Sequence, residues 1–143
     1  MSRILSIDFG RKRVGIAVSD PLQIIANSLK CVQTKDIWIF LDSYLTEEEV
    51  ECIVVGNPKQ LNNQPSESIE FVKPFYNKLK KKYPNIAIEL MDERFTSKMA
   101  VQAMIDGGLK KKSRQNKALV DTISATIILQ SYLDYIKFKQ NLK

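Results

Sequence analysis

The segment Arg3–Phe9 constrains this chain most, because its middle, Ile4-Leu5-Ser6-Ile7, is nearly continuous in apolar character. An extended segment of that kind is expected at the centre of a sheet, with both faces covered. The turn Gly10-Arg11-Lys12 leads into a second strand, Arg13–Ser19, with Val14, Ile16 and Val18 on one face and the small Gly15 and Ala17 on the other. So short a connector makes a hairpin. Asp20-Pro21 breaks the pattern, and a third strand within 24–32 is expected to complete an antiparallel meander.

Helical and extended periodicities alternate from there on. A helix over 36–49 carries Ile37, Phe40, Leu41, Tyr44 and Leu45 at helical spacing, and Cys52-Ile53-Val54-Val55 is a short buried strand ending at Gly56. Residues 57–65, with Asn62-Asn63-Gln64 and two prolines, form a pinned loop. A second amphipathic helix over 66–83 presents Ile69, Val72, Phe75, Tyr76 and Leu79, and Pro74 is expected to kink or interrupt it. Residues 86–91 alternate as a strand that Asp92-Glu93-Arg94-Phe95 follows at once. Thr96 or Ser97 can cap a helix that continues to Asp106 and stops at Gly107-Gly108. A basic stretch over 110–117 precedes a long final helix over 115–138, whose Leu119, Ile123, Ile127 and Leu133 are expected to pack along the sheet. The implied class is α/β, a mixed sheet with helices on both faces. No repeat or linker divides the 143 residues, which fit one domain.

The residue inventory narrows the chemistry. Histidine is absent, which removes histidine-based nucleophile systems and histidine-ligated zinc. Cys31 and Cys52 lack CxxC spacing and read as reduced core residues. No apolar run approaches the roughly 20 residues needed to cross a bilayer, and the N-terminus lacks the regions of a signal peptide, so a cytoplasmic protein without a membrane partner is expected. The formal charge of +6 favours polyanions.

Three acidic positions stand where a core pattern ends. Asp8 closes the first strand, Asp92-Glu93 closes the strand over 86–91, and Asp121 sits near the start of the final helix, with Ala125 and Ile128 on its face at i+4 and i+7. Singly, each has an ordinary explanation: a turn residue, an ion pair with Arg94, a favourable charge at a helix start. Parallel neighbouring strands would instead bring the two strand-end acids to one sheet edge, and the final helix could deliver Asp121 there. Like charges so gathered call for protonation or a cation, and oxygen-only ligands suit magnesium or manganese. A pair of such ions about 3.5–4 Å apart hydrolyses phosphodiesters without histidine. Arg11, Lys12 and Arg13 after the first strand, Arg94 beside Glu93, and Lys110, Lys111, Lys112 and Arg114 before the final helix surround these acids as phosphate contacts would.

Leu5-Ser-Ile-Asp-Phe-Gly-Arg-Lys-Arg-Val-Gly-Ile-Ala-Val-Ser-Asp20, Val54-Val-Gly-Asn-Pro58, Asp92-Glu-Arg-Phe-Thr96 and the run from Val120-Asp-Thr-Ile-Ser-Ala125 to Leu133 resemble, in order and spacing, the YqgF/RuvX family. The resemblance spans nearly the whole chain. It implies a ribonuclease-H-like five-stranded sheet of order 3-2-1-4-5 and a metal-dependent nuclease that matures the 5′ end of precursor 16S ribosomal RNA, with the ribosome as a further partner. The same family has been described as resolving Holliday junctions in DNA. It selects Glu93 over Asp92 and assigns Asp8, Glu93 and Asp121 as catalytic metal ligands. Two departures stand out: Asn62-Asn63-Gln64-Pro65 replaces a tighter Asp-Gly type of turn, and Ser124-Ala125 replaces paired alanines. Three other readings compete: a DNA junction resolvase, which as a rule acts as a homodimer rather than a monomer, a catalytically silent nucleic-acid-binding protein, and a sugar-kinase-like or actin-like ATPase suggested by Asp8-Phe9-Gly10. The last lacks a second lobe and a GxxxxGK[ST] loop.

Overall fold

The computed structural model describes residues 2–57, 69–92 and 117–141. Strands β1 (Arg3–Phe9), β2 (Arg13–Ser19) and β3 (Ala26–Gln33) form the antiparallel meander, followed by a single 3-10 turn at Thr34–Asp36 and helix α1 (Ile37–Glu47). Strand β4 (Val50–Asn57), helix α2 (Ile69–Lys82), strand β5 (Ala87–Asp92) and helix α3 (Lys117–Asn141) complete the described elements. The sheet order is β3-β2-β1-β4-β5, with β4 parallel to β1 and β5 parallel to β4. This is the ribonuclease-H-like order, and β1 lies at its centre as its apolar run requires.

Alternation along β1 divides the core. Leu5 and Ile7 pack with Val14, Ile16, Ile53 and Val55 under α1 and α2, whose Ile37, Leu41, Val72, Phe75 and Leu79 close that layer. Ile4 faces the other way, with Ala17, Cys52 and Val54, under Ala125, Ile128, Leu129 and Leu133 of α3. Burying both faces of one strand is the largest apolar gain available to a sheet of this size.

Several expectations are corrected. Pro74 does not interrupt α2, which runs unbroken through it; the residue sits in the second turn with its ring exposed, so the missing N–H costs a single bond near the helix start. Strand β4 starts two residues earlier than its apolar run, because the ladder with β1 already begins at Val50. Strand β3 begins at Ala26, inside the expected 24–32, and runs one residue beyond it to Gln33; Ile24 and Ile25 belong to a loop whose N–H groups bond the Asp20 carboxylate at 2.7 and 2.8 Å. The Ile25 bond leads the set that holds the Asp20 carboxyl below its usual range. On α3 the buried stripe is Ser124, Ala125, Ile128, Leu129 and Leu133, while Ile123 and Ile127 are only half-buried. Ala125 and Ile128 thus turn toward the sheet as expected, and the Ile123–Ile127 stripe does not. Small residues won because they let the helix approach the sheet closely. The expected helix from Thr96 to Asp106 and the loop after Asn57 lie outside the described residues, as does the side chain of Leu119.

The cysteines also separate. Cys52 is buried and Cys31, on the edge strand β3, only partly so, which corrects the reading of both as core. Burial pushes the Cys52 thiol up to about 11, outweighing its contact with the Tyr132 hydroxyl at 3.8 Å. Near neutral pH a thiol reagent is expected to label Cys31 quickly and Cys52 only on unfolding. Intact-mass measurement should find a single fast adduct, and two would contradict this packing.

Candidate functional site

The three parallel strands end together. Ile7 pairs with Val55 and Val55 with Leu90, so Phe9 at the end of β1 stands level with Asp92 at the end of β5. Asp8 is half-buried, on the Ser6 side of the strand, opposite Gly15 of β2, which contributes no side chain above the sheet there.

The register of α3 is set by one contact. The Ser6 hydroxyl donates to the carbonyl oxygen of Ala125 at 2.6 Å, a distance that only small side chains at the crossing permit. Further along, Cys52, level with Ile4, meets Tyr132. Moving back along β1 thus means moving forward along α3, so the two run antiparallel. The step from Ser6 to Asp8 covers about 6.7 Å of strand and the step from Ala125 back to position 121 about 6 Å of helix, both in the same direction. Helical backbone continues through 121, whose side chain lies outside the described atoms.

On β5 the odd positions share the α3 side: Glu89 pairs with Val54, and Met91 packs against the α3 core, whereas Ile88 packs under α2. Asp92 is even-numbered and ends the strand. Glu93, Arg94, Lys110, Lys111, Lys112 and Arg114 lie outside the described residues, so of the predicted site the side chains of Asp8, Lys12 and Arg13 can be followed. Among the described residues no group of three acidic or cysteine side chains clusters elsewhere as an alternative metal centre.

The turn between β1 and β2 is tightly built. Gly10 N donates to Arg13 O at 3.0 Å, Thr34 N donates to Lys12 O at 3.0 Å and Thr34 Oγ1 donates to Gly10 O at 2.6 Å. Thr34, which the sequence reading passed over, thereby clamps the turn that carries Arg11, Lys12 and Arg13. These three line a groove of about 590 Å3 with Gln33 and Lys35, so Lys35 joins the predicted basic set. A Cβ at Gly10 would lie 2.7 Å from the Arg13 carbonyl oxygen. Gly10→Ala is expected to open the turn and destabilise the fold by about 1–3 kcal/mol, read as a lower urea midpoint at unchanged slope. A cavity of about 710 Å3 between β5 and the C-terminal half of α3 holds Glu89 as its one carboxylate and is no competing centre.

The family profile of RuvX, described as Holliday junction resolvase, matches residues 2–135. The chain belongs to the RuvX family. A relative from Phocaeicola vulgatus is 62% identical over 138 residues, covering 96% of this chain and 99% of its own length; one from Bacteroides thetaiotaomicron is 56% identical over 138 residues, covering 96% and 100%. Both carry the name "Putative pre-16S rRNA nuclease". Among solved structures, the fold is similar to Fowlpox virus resolvase in complex with Holliday junction DNA, with a TM-score of 0.60, 14% identity and coverage of 94% of this chain and 98% of that one. It is likewise similar to T. thermophilus RuvC bound to a Holliday junction substrate, with a TM-score of 0.55, 17% identity and coverage of 95% and 96%. At such identities these two structures speak to the fold of this RuvX chain alone. No described helix is long and apolar enough to cross a membrane.

Proposed function

We propose that this protein is a single-domain, cytoplasmic, divalent-metal-dependent endonuclease that hydrolyses phosphodiester bonds in the 5′ region of precursor 16S ribosomal RNA. The reading is carried by the Ser6–Ala125 hydrogen bond, which sets α3 so that its first turn runs toward the end of β1 where Asp8 stands. Asp8, Glu93 and Asp121 are the proposed metal ligands. Glu93 follows Met91 as the next odd position, the series that shares the α3 side of the sheet, and this favours it over Asp92. With no histidine in the chain, the three proposed carboxylates supply oxygen donors, which fit Mg2+ or Mn2+.

Bound there, such ions would supply charge stabilisation for the attacking and leaving oxygens. The chain's own groups do the rest. Gly15 opposite Asp8 leaves room for a phosphate above the sheet, Arg94 contacts it, and Arg11, Lys12, Arg13 and Lys35 hold the strand beyond it. Lys110, Lys111, Lys112 and Arg114 are proposed as a second basic flank. The names of the close relatives favour RNA over DNA as substrate.

The test is cleavage by purified protein with magnesium or manganese of a precursor 16S fragment against a four-way DNA junction. Cutting of the RNA alone is expected, with activity lost in chelator. Symmetric cutting of the junction with RNA untouched would move the assignment to resolvase, and tight binding without cleavage of either would reduce the protein to a binding module.

A further inference from the structure

We propose that the free edge of β3 leads the RNA strand away from Asp8, along a continuous basic groove in which Lys12, Lys35 and Lys30 take its phosphates. This rests on the nucleic-acid reading above and deepens it by giving the bound strand a path. Strand β3 pairs with β2 alone, so its outer edge has no strand beside it among the described residues. Two grooves follow that edge. The one at the β1–β2 turn, about 590 Å3, and a second of about 610 Å3 between β3 and α1 share Cys31, Val32, Gln33 and Lys35 as one wall, so they are contiguous. The channel begins at the sheet end where Asp8 stands, since Gln33 pairs with Arg13 and Val14 with Phe9. Lys30 and Ile39 line its far part.

The cations decide what the channel takes. Arg11 and Arg13 have further partners and are left aside. Lys12, Lys30 and Lys35 are exposed, and among the described residues none of the three is ion-paired. Asp36 is the one acid lining either groove. Acids gather instead at the other end of the sheet, where Glu48 pairs with Arg3, Glu51 accepts from Gln23 and Asp20 holds the loop before β3. Positive charge concentrated along one edge, away from those acids, draws a polyanion. Ile39, 72% exposed, puts an apolar wall beside the cations, which the sugar and base of a nucleotide can cover and an inorganic anion cannot. A peptide strand fits the edge poorly, because the β2–β3 ladder shifts register between Ile16 and Ala17 and a bulged strand presents no regular row of edge groups. Lysine on an edge strand also keeps other strands off; used for that alone, Lys30 would have no part in RNA binding.

Counterion release makes the test quantitative. The full-length protein, in chelator so that nothing is cut, is titrated by anisotropy with a labelled single-stranded fragment from the 5′ region of precursor 16S RNA at several salt concentrations. Each phosphate contact on a single strand contributes about 0.7 to the slope of log affinity against log salt. Lys30→Gln and Lys35→Gln should each lower the slope by about that amount and the affinity severalfold, and the double variant should lower the slope by about 1.4. Lys81→Gln, at an exposed position of α2 outside both grooves, should match the parent. With magnesium or manganese, the Lys30 and Lys35 variants should cleave with raised KM at parental kcat. Unchanged slopes in both variants, with cleavage retained, would leave these lysines as edge guards and overturn the groove while the nuclease reading stands. An equal drop in Lys81→Gln would mean diffuse attraction and overturn it too, as would polyglutamate binding with the same affinity and the same dependence on Lys30 and Lys35. If the parent binds no RNA even at low salt, the nuclease reading falls as well.

Discussion

An Asp8→Asn variant is expected to lose cleavage by at least about a thousandfold while binding its strand as tightly as the parent or more so. The carboxamide keeps the volume and one oxygen of the aspartate but removes the charge that would hold a divalent ion. Asp8 stands at the end of the central strand, half-buried, with the glycine of β2 as its lateral neighbour, so the change leaves the core beneath it intact. In chelator, where no ion bridges carboxylate and phosphate, removing a negative charge where a phosphate docks favours binding, so anisotropy is read under that condition. Single-turnover cleavage and anisotropy on the same preparation separate the two effects. Parallel loss of binding and cleavage would mean that Asp8 serves the fold instead.

The second large effect concerns the helix proposed to deliver Asp121. Ala125 is fully buried, and its carbonyl lies 2.6 Å from the Ser6 hydroxyl. Ala125→Leu forces extra carbons into that crossing, so α3 must lift, at a cost of about 3 kcal/mol. The first turn of α3 moves with it, and activity should fall by about a hundredfold or more under conditions where the variant is still folded, as expected when a ligand shifts by an ångström. Ala125→Ser, small enough to keep the approach, should retain both. Urea unfolding read by circular dichroism gives the first number and the initial cleavage rate the second; a Leu variant of parental stability would contradict the close crossing.

Much of this was legible in the residues, and the reasons are physical. Strands β1 and β2 were bounded correctly because a doubly covered strand leaves a dense apolar run and a three-residue turn leaves little freedom. The edge strand β3 could be bracketed but not bounded, since its exposed positions carry no pattern and its start depends on the Asp20 carboxylate binding backbone N–H groups. For α3 the large aliphatics at Ile123 and Ile127 misled, because what seats this helix is small residues meeting a serine. Ser6 reads as a flaw in an apolar strand until its partner is known. Thr34 and the groove along β3 were invisible for a related reason: each joins segments apart in sequence, and no local periodicity marks such a meeting.

The central claim is that carboxylates from β1, the end of β5 and the first turn of α3 share one cation. Anomalous diffraction from crystals soaked in manganese tests it most directly. The account predicts a peak at the end of β1 bridged by oxygens of Asp8, Glu93 and Asp121, absent from crystals of Asp8→Asn. A peak bound by Asp8 without Asp121, or one that survives the Asn substitution unchanged, would contradict it.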